Sequence, residues 1–360
     1  MTHRSGTGPI ELAILQAADT KAAAIGPHEY IGCHHLLPVI EQNTGLGPRY
    51  AYDPLLDLGR PWVIPVPLIS VHGSMGDRDR TASAPRHVEC RPSHAGQVLL
   101  DAEAGRLAPV PVGLINGTSY RGGTQPPLEP DRVITAIRHL IHHPQTPDQE
   151  ILDLAGPPYA ITGCTITGDL DALNAGHPIT LHQTGRITRT SRPVPDRRPL
   201  PPGITPTPPR TPPEAVAHFG TGPDDRVLSR AHFIIETLPP GISPGDICTE
   251  LAHHQRAATR ATPDRPRPPT TLPIGDLIDA GTSRHPIRIA IILLPGTNPD
   301  TTRDQLASLD GITTQEPAAY PAPLATLLRT WTSQHSNEDI AASLAALQHA
   351  IHHDRENEDD

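Results

Sequence analysis

The chain has 360 residues, enough for two or three domains and a sizeable core, yet its 45 prolines and 36% hydrophobic content leave part of it outside any packed interior. A net charge of -10 excludes a uniformly basic nucleic-acid coat, so any DNA contact has to come from local arginine clusters. No apolar run approaches the roughly 20 residues of a membrane span and the start M-T-H-R-S-G-T-G has no apolar signal core, so the expectation is a cytoplasmic protein without a membrane partner.

In chain order, residues 10–25 read as a helix whose stripe is Leu12, Leu15 and Ala22 to Ile25, stopped by Gly26-Pro27. Further helices are predicted at 34–42 and 50–58, the latter with Pro54 tolerated only near its first turn. The run P-W-V-I-P-V-P-L-I-S-V-H-G-S-M-G is too rich in proline for a helix and reads as extended chain entering a glycine loop. A short helix follows at 94–103, then an apolar strand with an Asn-Gly turn and a glycine loop within 110–127. Residues 130–143 are amphipathic, with Val133, Ile134, Ile137, Leu140 and Ile141 on one face. A turn and strand at 156–168, a short helix closed by Gly176 and a strand at 177–183 lead to a polyproline-like insert at 192–213.

Beyond the insert, 231–254 reads strand, loop, helix, and 287–294 is a fully buried strand. The remainder is predicted helical, at 301–309, 322–334 and 339–352. The domains expected are a helical unit (1–45), a second unit (46–150), a third (151–320) broken by Pro/Arg-rich segments near 192–213 and 259–273, and C-terminal helices with an acidic tail (321–360). Arg186, Arg189, Arg192, Arg197, Arg198 and Arg210 crowd one stretch, which fits a phosphate-tracking segment or an ordinary soluble linker. Cys33, Cys90, Cys164 and Cys248 form no C-x-x-C pair and read as reduced thiols. The pairs His34/His35, His142/His143, His253/His254 and His352/His353 fall on helices, where neighbours point about 100° apart, so no metal site is expected.

Several segments, kept in order, resemble the A subunit of DNA gyrase and topoisomerase IV, the type IIA topoisomerases. Y-A-Y-D-P-L-L-D-L through V-H-G-S-M-G-D is similar to the family stretch from A-V-Y-D to V-D-G-Q-G-N-F-G-S, and L-I-N-G-T-S-Y-R-G-G-T-Q-P-P resembles its V-N-G-S-S-G run. G-P-P-Y-A-I-T-G-C-T-I-T-G resembles G-P-D-F-P-T-G, and A-H-F-I-I-E-T-L-P-P-G-I-S resembles the strand before I-T-E-I-P-Y. The resemblance spans about Tyr50 to Ile351 and implies an α+β fold: a winged-helix DNA-binding domain followed by a tower-like α/β domain, with Pro-rich linkers. It also implies duplex DNA lying across a homodimer, and a gyrase B-like partner subunit that would bring Mg2+ and ATP, leaving this chain without a cofactor of its own.

The family's nucleophile motif, A-A-M-R-Y-T-E, corresponds here to S-A-P-R-H-V-E. Arg86 then stands where an arginine stabilises the attacked phosphate, Glu89 matches the following acid, and His87 replaces the catalytic tyrosine. An imidazole reaches about 2 Å less far than a phenol, and a misplacement of ~1 Å can cost on the order of 100-fold, so strand cleavage is not expected. The family's H-P-H-G-D keeps only Gly47, and the loop of its DNA-intercalating isoleucine is shortened to Y-R-G-G-T, which removes the DNA-bending wedge. DNA contacts are expected from Arg78, Arg80, Arg91, Arg121 and Tyr120. Separately, P-H-E-Y-I-G-C-H-H-L-L resembles the helical repeat of Clp ATPase N-domains, implying a protein-interaction helix pair. Three readings follow: a DNA-binding relative degenerate for cleavage, an active cleavage subunit using His87 or Tyr120, or an interaction module that keeps only the fold.

Overall fold

In the computed structural model the described residues are 7–26, 29–120, 123–190, 193–196, 226–230, 232–261, 264, 266–281, 287–333 and 335–358. They form a mixed α+β fold of two compact units, one from Met1–Ile161, Ile166–Leu181 and Gln315–Asp360, the other from Thr162–Thr165 and His182–Thr314. Residues 1–45, 46–150 and 321–360, expected as separate pieces, therefore belong to one unit. The cause is a single core in which Leu15, Leu36, Leu55, Leu99 and Val133 share a cluster with Leu344, Leu347 and Ile351.

The first unit opens with α1 (Pro9–Ile25), which has proline at its start and buries Leu12, Ile14, Leu15, Ala17, Ala18 and Ala22. Strand β1 (Ile31–Gly32) runs into α2 (Cys33–Thr44), which ends where Gly45 takes φ 74° and donates its N–H to the Glu41 carbonyl. Next comes α3 (Pro48–Asp57), which carries Pro54 in its interior rather than its first turn. Leu55 and Leu56, both fully buried, hold that turn in place despite the roughly 3 kcal/mol an interior proline costs. β2 (Ile69–His72) and β3 (Glu89–Pro92) complete an antiparallel sheet of order β1-β3-β2, with Ile31 opposite Cys90 and Ser70 opposite Arg91.

α4 (His94–Glu103) is capped by Ser93, whose hydroxyl accepts the Gly96 N–H at 2.9 Å. The strand expected at 110–116 is instead a short helix, α5 (Val112–Asn116), entered through Pro111. Its apolar run is too short for periodicity to separate strand from helix. Asn116 decides locally, since its amide exchanges two hydrogen bonds of 2.9 Å with the backbone of Val66. β4 (Thr118–Tyr120) and β5 (Gly123–Gln125) pair as a hairpin with Tyr120 opposite Gly123. The amphipathic α6 (Pro130–His142) buries the whole expected face, and α7 (Asp148–Ala155), which the pattern did not announce, follows it.

β6 (Thr165–Thr167), α8 (Leu170–Asn174) and β7 (Ile179–Thr184) come next. β8 (Ile187–Arg189) belongs to the second unit, and β9 (Pro193–Asp196) pairs with β10 (Arg226–Arg230). Most of the insert at 192–213, including Arg197, Arg198 and Arg210, lies outside the described residues. The second unit is built on an antiparallel sheet of order β12-β13-β11-β8, from β11 (Phe233–Ile235), β12 (Ile274–Asp279) and β13 (Ile289–Leu293). Phe233, Ile235, Ile289, Ile291 and Leu293 project into its core and meet Ile247 and Leu251 of α9 (Pro244–Thr259) and Leu306 of α10 (Pro299–Ala307).

β14 (Thr313–Ala318) falls between the helices predicted at 301–309 and 322–334, where no element was expected. It joins a five-stranded sheet of order β4-β5-β14-β7-β6, and Ala318 pairs with Thr124 in parallel. Its sheet neighbours β5 and β7 are distant in the chain, so no local pattern marks it. The chain continues with α11 (Leu324–Ser333) and α12 (Asn337–Glu358).

Candidate nucleic-acid interface

The loop between β2 and β3, residues 73–88, carries four of the predicted site residues, and its shape is fixed from the base upward. Gly73 sits at φ 99°, where an added Cβ would lie 2.7 Å from the His87 carbonyl. Gly76 sits at φ 79°, with the Arg80 carbonyl in the same position of conflict. Between them Ser83 N–H donates to the Ser74 carbonyl at 3.0 Å. At the tip the Asp77 carboxylate accepts the N–H groups of Asp79 and Arg80, both at 2.8 Å, closing an Asx-type turn.

Side chains from the preceding segment hold both arms of the loop. Arg60 donates from Nε and Nη2 to the Met75 carbonyl at 3.1 and 2.9 Å, while its Nη1 pairs with Asp57 at 2.6 Å. Tyr52 of α3 donates its hydroxyl to the Ser83 carbonyl at 2.7 Å. Desolvation is the main reason its phenol is pushed up to about 12.

The loop gathers Arg78, Arg80, Arg86 and His87, with Arg80, Arg86 and His87 exposed and Arg78 half-buried. Its tip alternates Asp77-Arg78-Asp79-Arg80, and Arg80 lies 4.0 Å from Asp77, so acids and arginines balance there. Arg86 and His87 belong to a 3-10 turn, Pro85–His87, in which Arg86 Nε donates to His87 Nε2 at 2.9 Å. That bond occupies the ring-nitrogen lone pair a nucleophile would need, and it makes His87 an acceptor beside the arginine. The exposed Glu89 follows at the start of β3.

Arg91 is engaged elsewhere. Its guanidinium lies 4.6 Å from the centre of the Tyr30 ring, which in turn stacks on His72 at 3.6 Å. This stack faces a cleft of about 630 Å3 that also reaches Met75, Ser93, His94, His353 and Asp354. Tyr120 is placed in β4 by its backbone alone, and its side chain and the whole of Arg121 lie outside the described residues.

Two groupings escaped the sequence because their members are far apart in the chain. Cys33, at the first position of α2, touches Cys90 of β3 with sulfurs 3.5 Å apart, both fully buried. The hydrogen bond between them holds the Cys33 thiol below its ordinary value and pushes Cys90 well above it. No metal site was expected from adjacent histidines, whereas His94 of α4 meets His353 and its neighbour Asp354 on α12. One ligand atom from each of these three lies within 4.8 Å of the others. Periodicity gives no hint of such a convergence. Neither a protein-family model nor a curated protein matches the chain.

Proposed function

We propose that the chain is a duplex-DNA-binding protein related to the A subunit of type IIA topoisomerases and degenerate for strand cleavage. The observation that carries this reading is the connectivity of residues 9–92. Helix, strand, two helices, strand, long loop and strand follow one another, with the sheet ordered β1-β3-β2. A winged helix has this same succession, and in that comparison the loop 73–88 is its wing and α3 its recognition helix, so the winged-helix domain expected at 46–150 would instead run from α1 to β3. α3 leaves Tyr50 75% exposed, and the loop offers Arg80 and Arg86 to solvent. The four-stranded sheet with α9 and α10 is the part that would correspond to the tower-like domain. On this reading the physiological role is competition with, or regulation of, a true topoisomerase, with a homodimer and a B-like subunit as candidate partners.

Loss of cleavage is argued from His87, which stands at the nucleophile position with its Nε2 occupied by Arg86. The test is a mobility-shift assay on duplex DNA at low salt with wild type, Arg86→Ala and His87→Tyr, scored also for covalent adducts after denaturation. Wild type should bind, lose affinity steeply with salt, and trap no adduct. Arg86→Ala should bind several-fold more weakly. A wild type that shows no duplex binding at low salt would sink the proposal. An adduct abolished by His87→Ala would make the chain an active cleavage subunit. Absence of DNA binding together with a partner retained after nuclease treatment would favour the interaction module.

A further inference from the structure

We propose that His94, His353 and Asp354 form a binding site for a divalent transition-metal ion of the Zn2+ class, at the junction of α4 and α12. The site is independent of the DNA-binding reading.

The geometry is close to that of a coordination sphere. His94 Nδ1 lies 2.7 Å from Asp354 Oδ1, and the ligand atoms of all three residues fall within 4.8 Å of one another. With metal–ligand bonds of about 2.0–2.1 Å, ligand atoms stand roughly 2.9 Å apart at right angles and about 3.4 Å apart in a tetrahedron. An ion replacing the proton between Nδ1 and Oδ1 therefore needs that pair to open by about 0.2 Å at right angles or about 0.7 Å in a tetrahedron, and the widest pair of the set, at most 4.8 Å apart, to close toward the same spacing.

The carboxylate is already fixed for this role. Asp354 Oδ1 accepts the His94 N–H at 3.1 Å, and Oδ2 accepts the Ala95 N–H at 3.0 Å. The second lone-pair direction of Oδ1 is the one turned to His94 Nδ1, and such backbone contacts are what orient metal ligands. Helix capping accounts for Asp354 alone. It gives no reason for two imidazoles to converge on that carboxylate, with the rings of His94 and His353 only 4.0 Å apart.

The donor set indicates the class of ion. Two imidazole nitrogens and one carboxylate oxygen suit Zn2+, Fe2+, Co2+, Ni2+ or Cu2+, whereas Mg2+ and Ca2+ prefer oxygen alone. The three residues are neither sealed nor fully exposed, and they line the 630 Å3 cleft, so an ion can enter and water can complete its coordination.

The experiment strips the full-length protein with a chelator and titrates it with Zn2+ against a chromophoric competitor. The expected result is one competing site per chain, weakened at least tenfold by His94→Ala and by His353→Ala. It should be unchanged by His352→Ala, the exposed neighbour on the same helix turn. Zn2+, but not Mg2+, should raise the melting temperature of wild type and leave that of His353→Ala unmoved. If His353→Ala does not fold, Co2+ absorption of the wild type decides. A Co2+ d–d band that is lost when Zn2+ displaces the bound Co2+ supports the site, and no band overturns it. Folded His353→Ala with wild-type Zn2+ affinity, or wild type with no competing site, overturns it equally.

Discussion

Two polar features of the first unit differ in what they hold together. The loop 73–88 is anchored at its arms by Arg60 and Tyr52 and closes its tip with the Asx-type turn at Asp77. The Asp354 cluster has little projection and joins segments 259 and 260 residues apart, through the N–H groups of Ala95 and His94. The difference separates two kinds of surface: one where a side chain can change with little effect on the fold, and one where a single carboxylate is a structural joint.

The largest effect is expected at the joint. Asp354→Ala removes the acceptor of two backbone N–H groups and of His94, and should lower unfolding free energy by about 2–3 kcal/mol in urea titrations. Asp354→Asn, which keeps an acceptor oxygen, should lose less. At the loop base, Gly73→Val forces a Cβ into the His87 carbonyl at positive φ and should cost about 1–3 kcal/mol. The same change should shift Arg86 and weaken DNA binding in a mobility shift.

Tyr52→Phe should cost about 1 kcal/mol by deleting the bond to Ser83. The folded phenol is raised from 10.0 to about 12, so its contribution is complete below pH 10 and disappears as pH rises through 12. Melting curves of the Phe variant should accordingly decline less than wild type across that alkaline window. The smallest effect on the fold is expected at the tip. Arg80→Ala should change stability by less than about 0.5 kcal/mol, and a resulting drop of several kcal/mol would show that the tip supports the fold. On the DNA-binding reading the same variant should flatten the dependence of log K on log salt by about 0.9, one phosphate contact.

Local signals in the sequence were enough for α1, α2, α4, α6 and α8, where caps, prolines and apolar stripes agree with the core. They failed where the deciding contact is distant. Residues 112–116 turn helical with Asn116 bound to Val66, and β14 becomes a strand by joining a sheet with β5 and β7. The candidate interface was legible in part. S-A-P-R-H-V-E singled out Arg86 and His87, and both are exposed on a 3-10 turn. The hydrogen bond between them, the stacking of Arg91 on Tyr30, and the meeting of His353 with His94 depend on tertiary approach that no spacing encodes.

The shared core has a consequence for synthesis. Leu36, Leu55 and Leu99 belong to the same core as Leu344, Leu347 and Ile351, the last residues of that core to leave the ribosome. At about 5–20 residues per second, the segment bearing the loop waits on the order of ten to fifty seconds for its final helix. The intervening unit, nearly contiguous at 182–314, can fold during that interval. A nascent chain arrested near residue 320 would thus present an apolar surface that chaperones bind, and release from them would coincide with the arrival of α12.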